Sequence, residues 1–264
     1  MTPHAAIALA ISIASGSVEV PKVPGDDSGG TVAYRYRLVE PPAAATADGQ
    51  RVPLVVFLHG SGERGDDNEK QLVHFVGKAA EADFQTRAPC FILAPQCPTG
   101  ETWAPIDLKT LQAGGTMAFT PEPTRSMRAV EAMIEGLLRS RPIDADRVYL
   151  TGLSMGGFGA FDLAGRRPEL FAAVVPVCGG GDPSKADRLR GIPFLIAHGN
   201  LDTVVPVGQG RMMETALRGA GATVTLKEYP GVGHDSWTPA YRFGPDGVLD
   251  WMFAQRRRPA TTAP

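Results

Sequence analysis

The segment Gly152-Leu153-Ser154-Met155-Gly156 places a serine where it can act as a nucleophile. It fits the G-x-S-x-G pattern of a nucleophile elbow, a tight turn between a strand and a helix. A strand-like run at residues 147–151 precedes the turn, and a helix-like run at residues 157–165 follows it. The turn pushes the serine hydroxyl out of the sheet, and the glycines let neighbouring backbone pack closely. The pattern predicts a hydrolase if a base and an acid are present.

A serine hydroxyl is a poor nucleophile at neutral pH, so it needs a histidine base, and the base needs an orienting acid. In folds with this elbow, the acid and then the histidine follow the nucleophile, each on a loop after a later strand. Asp202 follows the apolar run 194–197, and His234 follows the run 224–229. Because all three residues lie past strand ends at one predicted sheet edge, we predict Ser154 as nucleophile, Asp202 as acid and His234 as base.

Three other residues compete for these roles. His198 also follows a strand, but it precedes the acid, so we interpret it as a structural loop histidine. Asp235 adjoins His234, and a neighbouring residue seldom points its carboxylate at the next imidazole. Asp182 is the main rival as acid, because some hydrolases take the acid from the loop after the preceding strand.

Catalysis by such a serine also requires two backbone N–H donors that hold the developing oxyanion. Met155, which follows the nucleophile, supplies one of them. The other is expected from the glycine-rich loop after the apolar run 52–58, and we choose the N–H of Ser61, with Gly62 as the alternative. His59 is expected to pack and hydrogen-bond beneath this loop rather than to take part in the chemistry.

Two tryptophans lie nearest the predicted mouth of the site. Trp103 belongs to a long irregular segment, residues 95–123, and loops of this length in compact domains are usually functional or mobile. We therefore predict that Trp103 lines the substrate pocket. Trp237 follows His234 closely and is interpreted as core beneath the histidine loop.

Alternating strands and helices must position these residues. Between the predicted strands, apolar residues recur at helical spacing, most clearly over residues 127–138. The pattern predicts an α/β fold, with a mostly parallel central sheet covered by helices on both faces, in one catalytic domain at residues 31–256. Near-continuous apolar runs, typical of strands buried on both faces, occur at residues 52–58, 91–94, 148–150, 172–177, 194–197 and 224–229.

Composition narrows the class of protein. With 264 residues, 43% of them hydrophobic, the chain can bury a substantial core as one domain. The net charge of −2 predicts no nucleic-acid surface. Three cysteines, Cys90, Cys97 and Cys178, exclude a disulfide framework because their number is odd, but one bridge stays open. No apolar stretch is long enough to predict a membrane span.

The two ends of the chain are predicted to lie outside the catalytic domain. Residues 1–30 are interpreted as a leader segment plus a turn-rich linker, because the apolar residues 5–13 are followed by the small residues Ala14-Ser15-Gly16. This pattern favours a secreted or periplasmic protein. The first four residues contain no Lys or Arg, so a cytoplasmic location is the alternative. Residues 257–264 are interpreted as a tail.

With these motifs, the chain resembles α/β-hydrolases of the carboxylesterase/phospholipase type. It is especially similar to bacterial predicted peptidases and esterases related to feruloyl esterases and polyhydroxybutyrate depolymerases. The resemblance implies an α/β-hydrolase fold and the same triad of Ser154, Asp202 and His234, but it specifies the substrate poorly. It covers roughly residues 31–255 and rests on His59-Gly60-Ser61-Gly62-Glu63-Arg64-Gly65, Ala94-Pro95-Gln96-Cys97-Pro98, Gly152-Leu153-Ser154-Met155-Gly156-Gly157, His198-Gly199 with Asp202, Val205-Pro206, and Gly233-His234-Asp235-Ser236-Trp237.

The sequence as a whole predicts a serine esterase that forms an acyl-enzyme on Ser154 and needs no metal or organic cofactor. Its expected partner is a small-molecule or oligomeric ester, whose acyl and alcohol groups the sequence leaves open, as it does the oligomeric state. A serine peptidase or amidase with the same triad is the first alternative. The second, a catalytically dead binding protein on a hydrolase scaffold, is opposed by the intact triad.

Overall fold

The computed structural model describes residues 11–22 and 30–257 of the chain. Its strands form one eight-stranded sheet. They are β1 (Ser12–Pro21), β2 (Thr31–Glu40), β3 (Val52–Leu58), β4 (Phe91–Pro95), β5 (Ile143–Leu153), β6 (Ala173–Val177), β7 (Phe194–Gly199) and β8 (Val224–Tyr229).

The strand order in the sheet is β1-β2-β4-β3-β5-β6-β7-β8. β2 runs antiparallel to both of its neighbours, and every other neighbouring pair is parallel. The mostly parallel sheet of a single-domain α/β-hydrolase fold is therefore confirmed. Strands β3, β4, β6 and β7 are buried along their whole length, as their unbroken apolar runs predict.

Helices cover both faces of the sheet. Because side chains alternate along a strand, Leu54, Val56 and Leu58 of β3 pack into one apolar cluster, whereas Val55 and Phe57 pack into another on the opposite face. The helices are α1 (Val76–Ala79), α2 (Ala82–Arg87), α3 (Leu108–Gln112), α4 (Arg125–Ser140), α5 (Met155–Arg166), α6 (Ala186–Leu189), α7 (Gly208–Gly219), α8 (Trp237–Ala240) and α9 (Leu249–Phe253). Helices α4, α5 and α7 contribute to the first cluster, and α1, α2 and α9 to the second.

The predicted apolar stripe at residues 127–138 is confirmed as the buried face of α4. Met127, Val130 and Ile134 of this helix are completely or almost completely buried. The hydroxyl of Thr124 caps the first turn by accepting a hydrogen bond from the N–H of Met127 at 3.1 Å.

The first described strand differs from the sequence prediction. β1 pairs with β2 along its full length, from Ser12 opposite Glu40 to Pro21 opposite Thr31, so residues 12–21 form a sheet strand that the sequence analysis does not predict. These residues form a strand because apolar and polar residues alternate over a short stretch, so that Val18 and Val20 are more buried than Ser17 and Glu19. The other residues of the predicted leader and linker, 1–10 and 23–29, and the tail residues 258–264 lie outside the described residues. Among the helices within residues 11–22 and 30–257, none has the length and apolar character to cross a membrane.

Helix α5 lies so close to β3 and β5 that a side chain has no room at two positions, Gly156 and Gly152. A Cβ atom on Gly156 would lie 1.8 Å from the carbonyl oxygen of Leu58, and one on Gly152 would lie 2.4 Å from that of Gly156. Both glycines are therefore required by the close approach of backbone to backbone, and neither has a positive φ.

We predict that Gly156→Ala destabilises the protein by about 3 kcal/mol or more, because α5 would have to move away from β3. Gly136→Ala in α4 is the matched control, since a Cβ there meets nothing within 4 Å and alanine favours the helix by about 0.5–1 kcal/mol. Thermal unfolding of the two variants tests this difference. An unchanged melting temperature for Gly156→Ala would contradict the close-approach argument.

Candidate active site

The predicted strand–turn–helix context of the nucleophile is present. β5 ends at Leu153, α5 begins at Met155, and Ser154 between them has φ 53° and ψ −117°. A positive φ is uncommon for a residue other than glycine and is found at sites where the surroundings hold the backbone in place. Here the N–H of Ser154 donates to the carbonyl of Val177 at 2.9 Å, and its own carbonyl accepts from Gly157 at 2.8 Å.

The three predicted catalytic side chains form one hydrogen-bonded line. His234 Nε2 lies 3.0 Å from Ser154 Oγ, and His234 Nδ1 lies 2.7 Å from Asp202 Oδ2. Because an ionised carboxylate only accepts hydrogen bonds, Nδ1 carries the proton in this pair, and Nε2 is left to accept from the serine hydroxyl. The Asp202 side chain is completely buried, whereas His234 keeps 20% of its side chain exposed.

The surroundings of Asp202 keep its carboxylate ionised. Burial alone would raise the pKa of Asp202, but hydrogen bonds from His198, His234 and the Val205 N–H outweigh burial and hold the pKa well below its usual range. Asp202 Oδ1 accepts the N–H groups of Val204 and Val205, each at 2.9 Å. A carboxylate fixed in this way can orient the imidazole and stabilise its positive charge.

The rival acids make other contacts. Asp182 accepts from the N–H of Phe119 at 2.9 Å and from the hydroxyl of Ser184 at 2.6 Å, and it lines a separate cavity of about 190 Å³. Asp235 binds the N–H and hydroxyl of Thr238 at 3.1 and 3.0 Å. Of Asp182, Asp202 and Asp235, Asp202 is the one that the fold brings to His234.

Both residues predicted to form the oxyanion hole line the same cavity as Ser154. Met155 is the first residue of α5, so its N–H has no acceptor within the helix. Ser61 is the first residue of a short 3₁₀ turn, Ser61–Glu63, which begins three residues after β3 ends at Leu58. Gly62, the alternative donor, is not among the residues that line this cavity.

His59 fixes the base of this loop. Its Nε2 accepts from the N–H of Cys97 at 2.9 Å, so the proton is on Nδ1, which donates to the carbonyl of Gly60 at 2.6 Å. Burial lowers the pKa of His59 to about 4, which keeps the ring neutral at neutral pH. His59 thus supports the loop through hydrogen bonds, and the cavity does not include it.

Trp103 does not line the pocket, contrary to the sequence prediction. Its ring is 1% exposed, and its Nε1–H donates to the carbonyl of His59 at 2.9 Å. The ring fits against α5 because residue 159 is a glycine, where a Cβ would lie 2.5 Å from Trp103 Cβ. Trp103 therefore packs beneath the loop that follows β3 and contains Ser61. Trp237 is partly buried, and its ring meets that of His234 edge to face at 5.4 Å.

The cavity at Ser154 has a volume of about 480 Å³ and walls that are mostly apolar. The irregular segment 95–123 forms one wall, as the sequence predicts, but Thr102, Ile106 and Leu111 line the cavity and Trp103 does not. Arg64 is the one charged side chain among the described residues that line it. The complete lining is Ser61, Arg64, Thr102, Ile106, Leu111, Ser154, Met155, Phe158, Thr203, Val204 and Val205.

All three cysteines are buried free thiols, which resolves the open question of a disulfide bridge. Burial raises the pKa of both Cys90 and Cys97 to about 12, and burial raises that of Cys178 further. The thiol of Cys178 lies with Asp202 and His234 in a group whose ligand atoms are within 4.8 Å of one another. A metal ion there would have to displace both the thiol proton and the proton that His234 Nδ1 donates to Asp202.

We predict that none of the three thiols reacts with Ellman's reagent in the native protein at about pH 8, because the thiolate is the reactive form and these thiols are buried and protonated. In concentrated guanidinium chloride all three should react. The thiol count before and after unfolding is the measurement. Rapid reaction of any thiol in the folded protein would contradict the assigned burial.

Residues 90–241 match the model of the dienelactone hydrolase family, a range that contains Ser154, Asp202 and His234. The NocK protein of Nocardia uniformis subsp. tsuyamanensis is 29% identical over 185 residues, which cover 68% of this chain and 47% of NocK. Acyl-protein thioesterase 1 of Gibberella zeae is 25% identical over 225 residues, covering 74% of this chain and 88% of that protein.

Among solved structures, that of a thermostable esterase is 37% identical to this chain and superimposes with a TM-score of 0.74. The match covers 91% of this chain and 63% of the esterase. The chain thus spans about half the length of NocK and less than two thirds of the thermostable esterase.

Proposed function

The chain belongs to the dienelactone hydrolase family, and on that premise we propose that it is an esterase that cleaves carboxylic esters through an acyl-enzyme on Ser154. The observation that carries the proposal is the hydrogen-bonded line from Ser154 through His234 to Asp202, with its serine end in an apolar cavity. Family membership alone would leave the catalytic residues unassigned, because a fold hosts many functions.

In the proposed reaction, Ser154 Oγ attacks the ester carbonyl while His234 Nε2 takes the hydroxyl proton. His234 then gives this proton to the departing alcohol, and Asp202 stabilises the imidazolium that exists between the two transfers. The N–H groups of Ser61 and Met155 hold the negative oxygen of the tetrahedral intermediate. Water, activated by the same histidine, finally cleaves the acyl-enzyme and frees Ser154.

The cavity suggests the kind of ester. Ile106, Leu111 and Phe158 offer apolar walls next to Ser154, and Val204 and Val205 extend this surface along the loop of the acid. Apolar walls with few polar groups suit an apolar acyl or alcohol group of a small ester. The volume of about 480 Å³ lies within the range of small-molecule sites, which is roughly 300–1,000 Å³.

We predict that Ser154→Ala lowers kcat for p-nitrophenyl butyrate by about 10⁴-fold or more, because no other side chain can replace the nucleophile. A fluorophosphonate probe should label the wild-type protein and not the variant. The matching p-nitroanilide should be cleaved far more slowly than the ester. Folded wild-type protein that neither turns over the ester nor accepts the probe would refute the esterase proposal, and faster cleavage of the anilide would favour a peptidase.

A second prediction concerns the acid. Asp202→Asn should lower kcat by about 10³- to 10⁴-fold, because a neutral amide neither fixes the tautomer of His234 nor stabilises its charge. Asp182→Asn is the matched control, because this rival carboxylate lines the separate cavity and should alter kcat by less than about twofold. If Asp182→Asn gave the larger loss, the assignment of the acid would be wrong.

A further inference from the structure

A second histidine contacts the acid of the proposed triad. His198, in β7, is completely buried, and its Nε2 lies 2.9 Å from the carbonyl oxygen of Val205 and 3.4 Å from Asp202 Oδ2. Both oxygens are acceptors, so Nε2 must carry a proton and faces the two of them at once. His198 therefore lies in a strand rather than on the loop that the sequence predicts, and it contacts the acid.

Both oxygens of the Asp202 carboxylate consequently face N–H donors. Oδ2 faces an N–H from each of two imidazoles, His234 and His198, and Oδ1 accepts the N–H groups of Val204 and Val205. Val205 is engaged twice, since its N–H binds Asp202 and its carbonyl accepts from His198. The ring of His198 thereby closes a small loop of hydrogen bonds around the carboxylate.

The opposite edge of the His198 ring is fixed by packing alone. Nδ1 is buried and has no hydrogen-bond partner within the described part of the chain. A Cβ on Gly210 of α7 would lie 3.0 Å from this nitrogen, so the glycine leaves the ring just enough room. Glu228 of β8 lies opposite His198 in the sheet, and Arg211 of α7 pairs with its carboxylate through two hydrogen bonds of 2.7 Å.

We propose that His198 is a positioning residue for the reaction, which acts by holding Asp202 in the orientation that His234 requires. The inference rests on the proposed function, because it assigns a role to His198 through the acid of that triad. His198 contacts neither Ser154 nor the cavity. Its effect must therefore pass through the carboxylate.

Loss of this donor has two consequences for His234. The carboxylate becomes freer to turn away from Nδ1, which slows the reaction. It also becomes a stronger acceptor towards His234, because one competing donor is gone, so the imidazolium is stabilised more strongly. The acid limb of the pH dependence of kcat/KM must then move to higher pH, which loss of packing alone would not cause.

The first test compares two substitutions in the full chain. His198→Leu removes the donor at similar volume, and we expect about a tenfold loss in kcat/KM for p-nitrophenyl butyrate with an acid limb raised by roughly half a pH unit. His198→Gln retains a side-chain N–H and should recover most of the rate and the wild-type acid limb. Equal losses in both variants, with an unmoved acid limb, would overturn the proposal.

The second test asks whether His198 acts through Asp202. In the Asp202→Asn background, His198→Leu should cost less than about twofold, because the carboxylate through which it acts is already gone. A purely structural role would instead give the same fold loss in both backgrounds, and that result would overturn the proposal. If Ser154→Ala kept full activity, the proposed function itself would fail, whatever the His198 variants do.

A third variant keeps both His198 and Asp202, and it serves as a test if the variants at these two buried residues do not fold. Gly210→Ala adds a methyl group beside Nδ1, so it should displace the ring, lower kcat/KM several-fold and raise the acid limb. Gly219→Ala at the end of the same helix meets nothing within 4 Å and is the matched control, with unchanged kinetics. If Gly210→Ala is folded and has wild-type kinetics at every pH, the placement of His198 is irrelevant to the reaction.

Discussion

The candidate site depends on one contact in which the backbone of α5 lies directly on the backbone of β3. A Cβ atom on Gly156 would lie 1.8 Å from the Leu58 carbonyl oxygen, so not even one methyl group fits between the two elements. Ser154 lies just before this contact, and the loop that contains Ser61 follows Leu58. One packing interaction therefore holds the nucleophile and both expected N–H donors together. It also explains how the left-handed backbone of Ser154 is maintained, because such strain persists only where the surroundings determine it.

A second close approach does the same for the acid and the base. A Cβ on Gly199, at the end of β7, would lie 2.1 Å from the carbonyl oxygen of Gly233, so the loop of His234 lies directly on the strand end that leads to Asp202. The N–H of Leu201 donates to the carbonyl of Val232 at 2.9 Å and ties the two loops together. The bond of 2.7 Å between His234 and Asp202 thus follows from two adjacent parallel strands that end at one edge of the sheet.

The parts of the molecule that local chemistry determines could be predicted from the sequence. A strand buried on both faces must be apolar throughout, and parallel strands must end at one edge, so chain order alone placed Ser154, Asp202 and His234 together. Trp103 could not be placed in this way, because its orientation is set by a hydrogen bond to His59, which is remote in sequence. β1 was missed for a related reason. An edge strand needs only a weak alternation of apolar and polar residues, and in β1 this alternation adjoins the leader-like apolar run at residues 5–13.

The three histidines near the site show why partners, rather than burial or motif, decide which ring is the base. A general base must hold its proton on one nitrogen and accept another on the second. Nε2 of His59 accepts the N–H of Cys97, so a proton added to Nε2 would face another N–H and break this hydrogen bond. Burial also disfavours the positive charge of a protonated His59 ring. Nε2 of His198 donates its proton towards two oxygens, and Nδ1 has no partner among residues 11–22 and 30–257, so this ring can hold a carboxylate but faces no donor there from which it could take a proton. Of these three rings, only that of His234 has a carboxylate at one nitrogen and a hydroxyl at the other.

The same ring follows from the sequence rule that the acid precedes the base. A histidine after the acid lies one strand further along the sheet, on the loop after β8. From there the imidazole of His234 lies between Asp202 and Ser154.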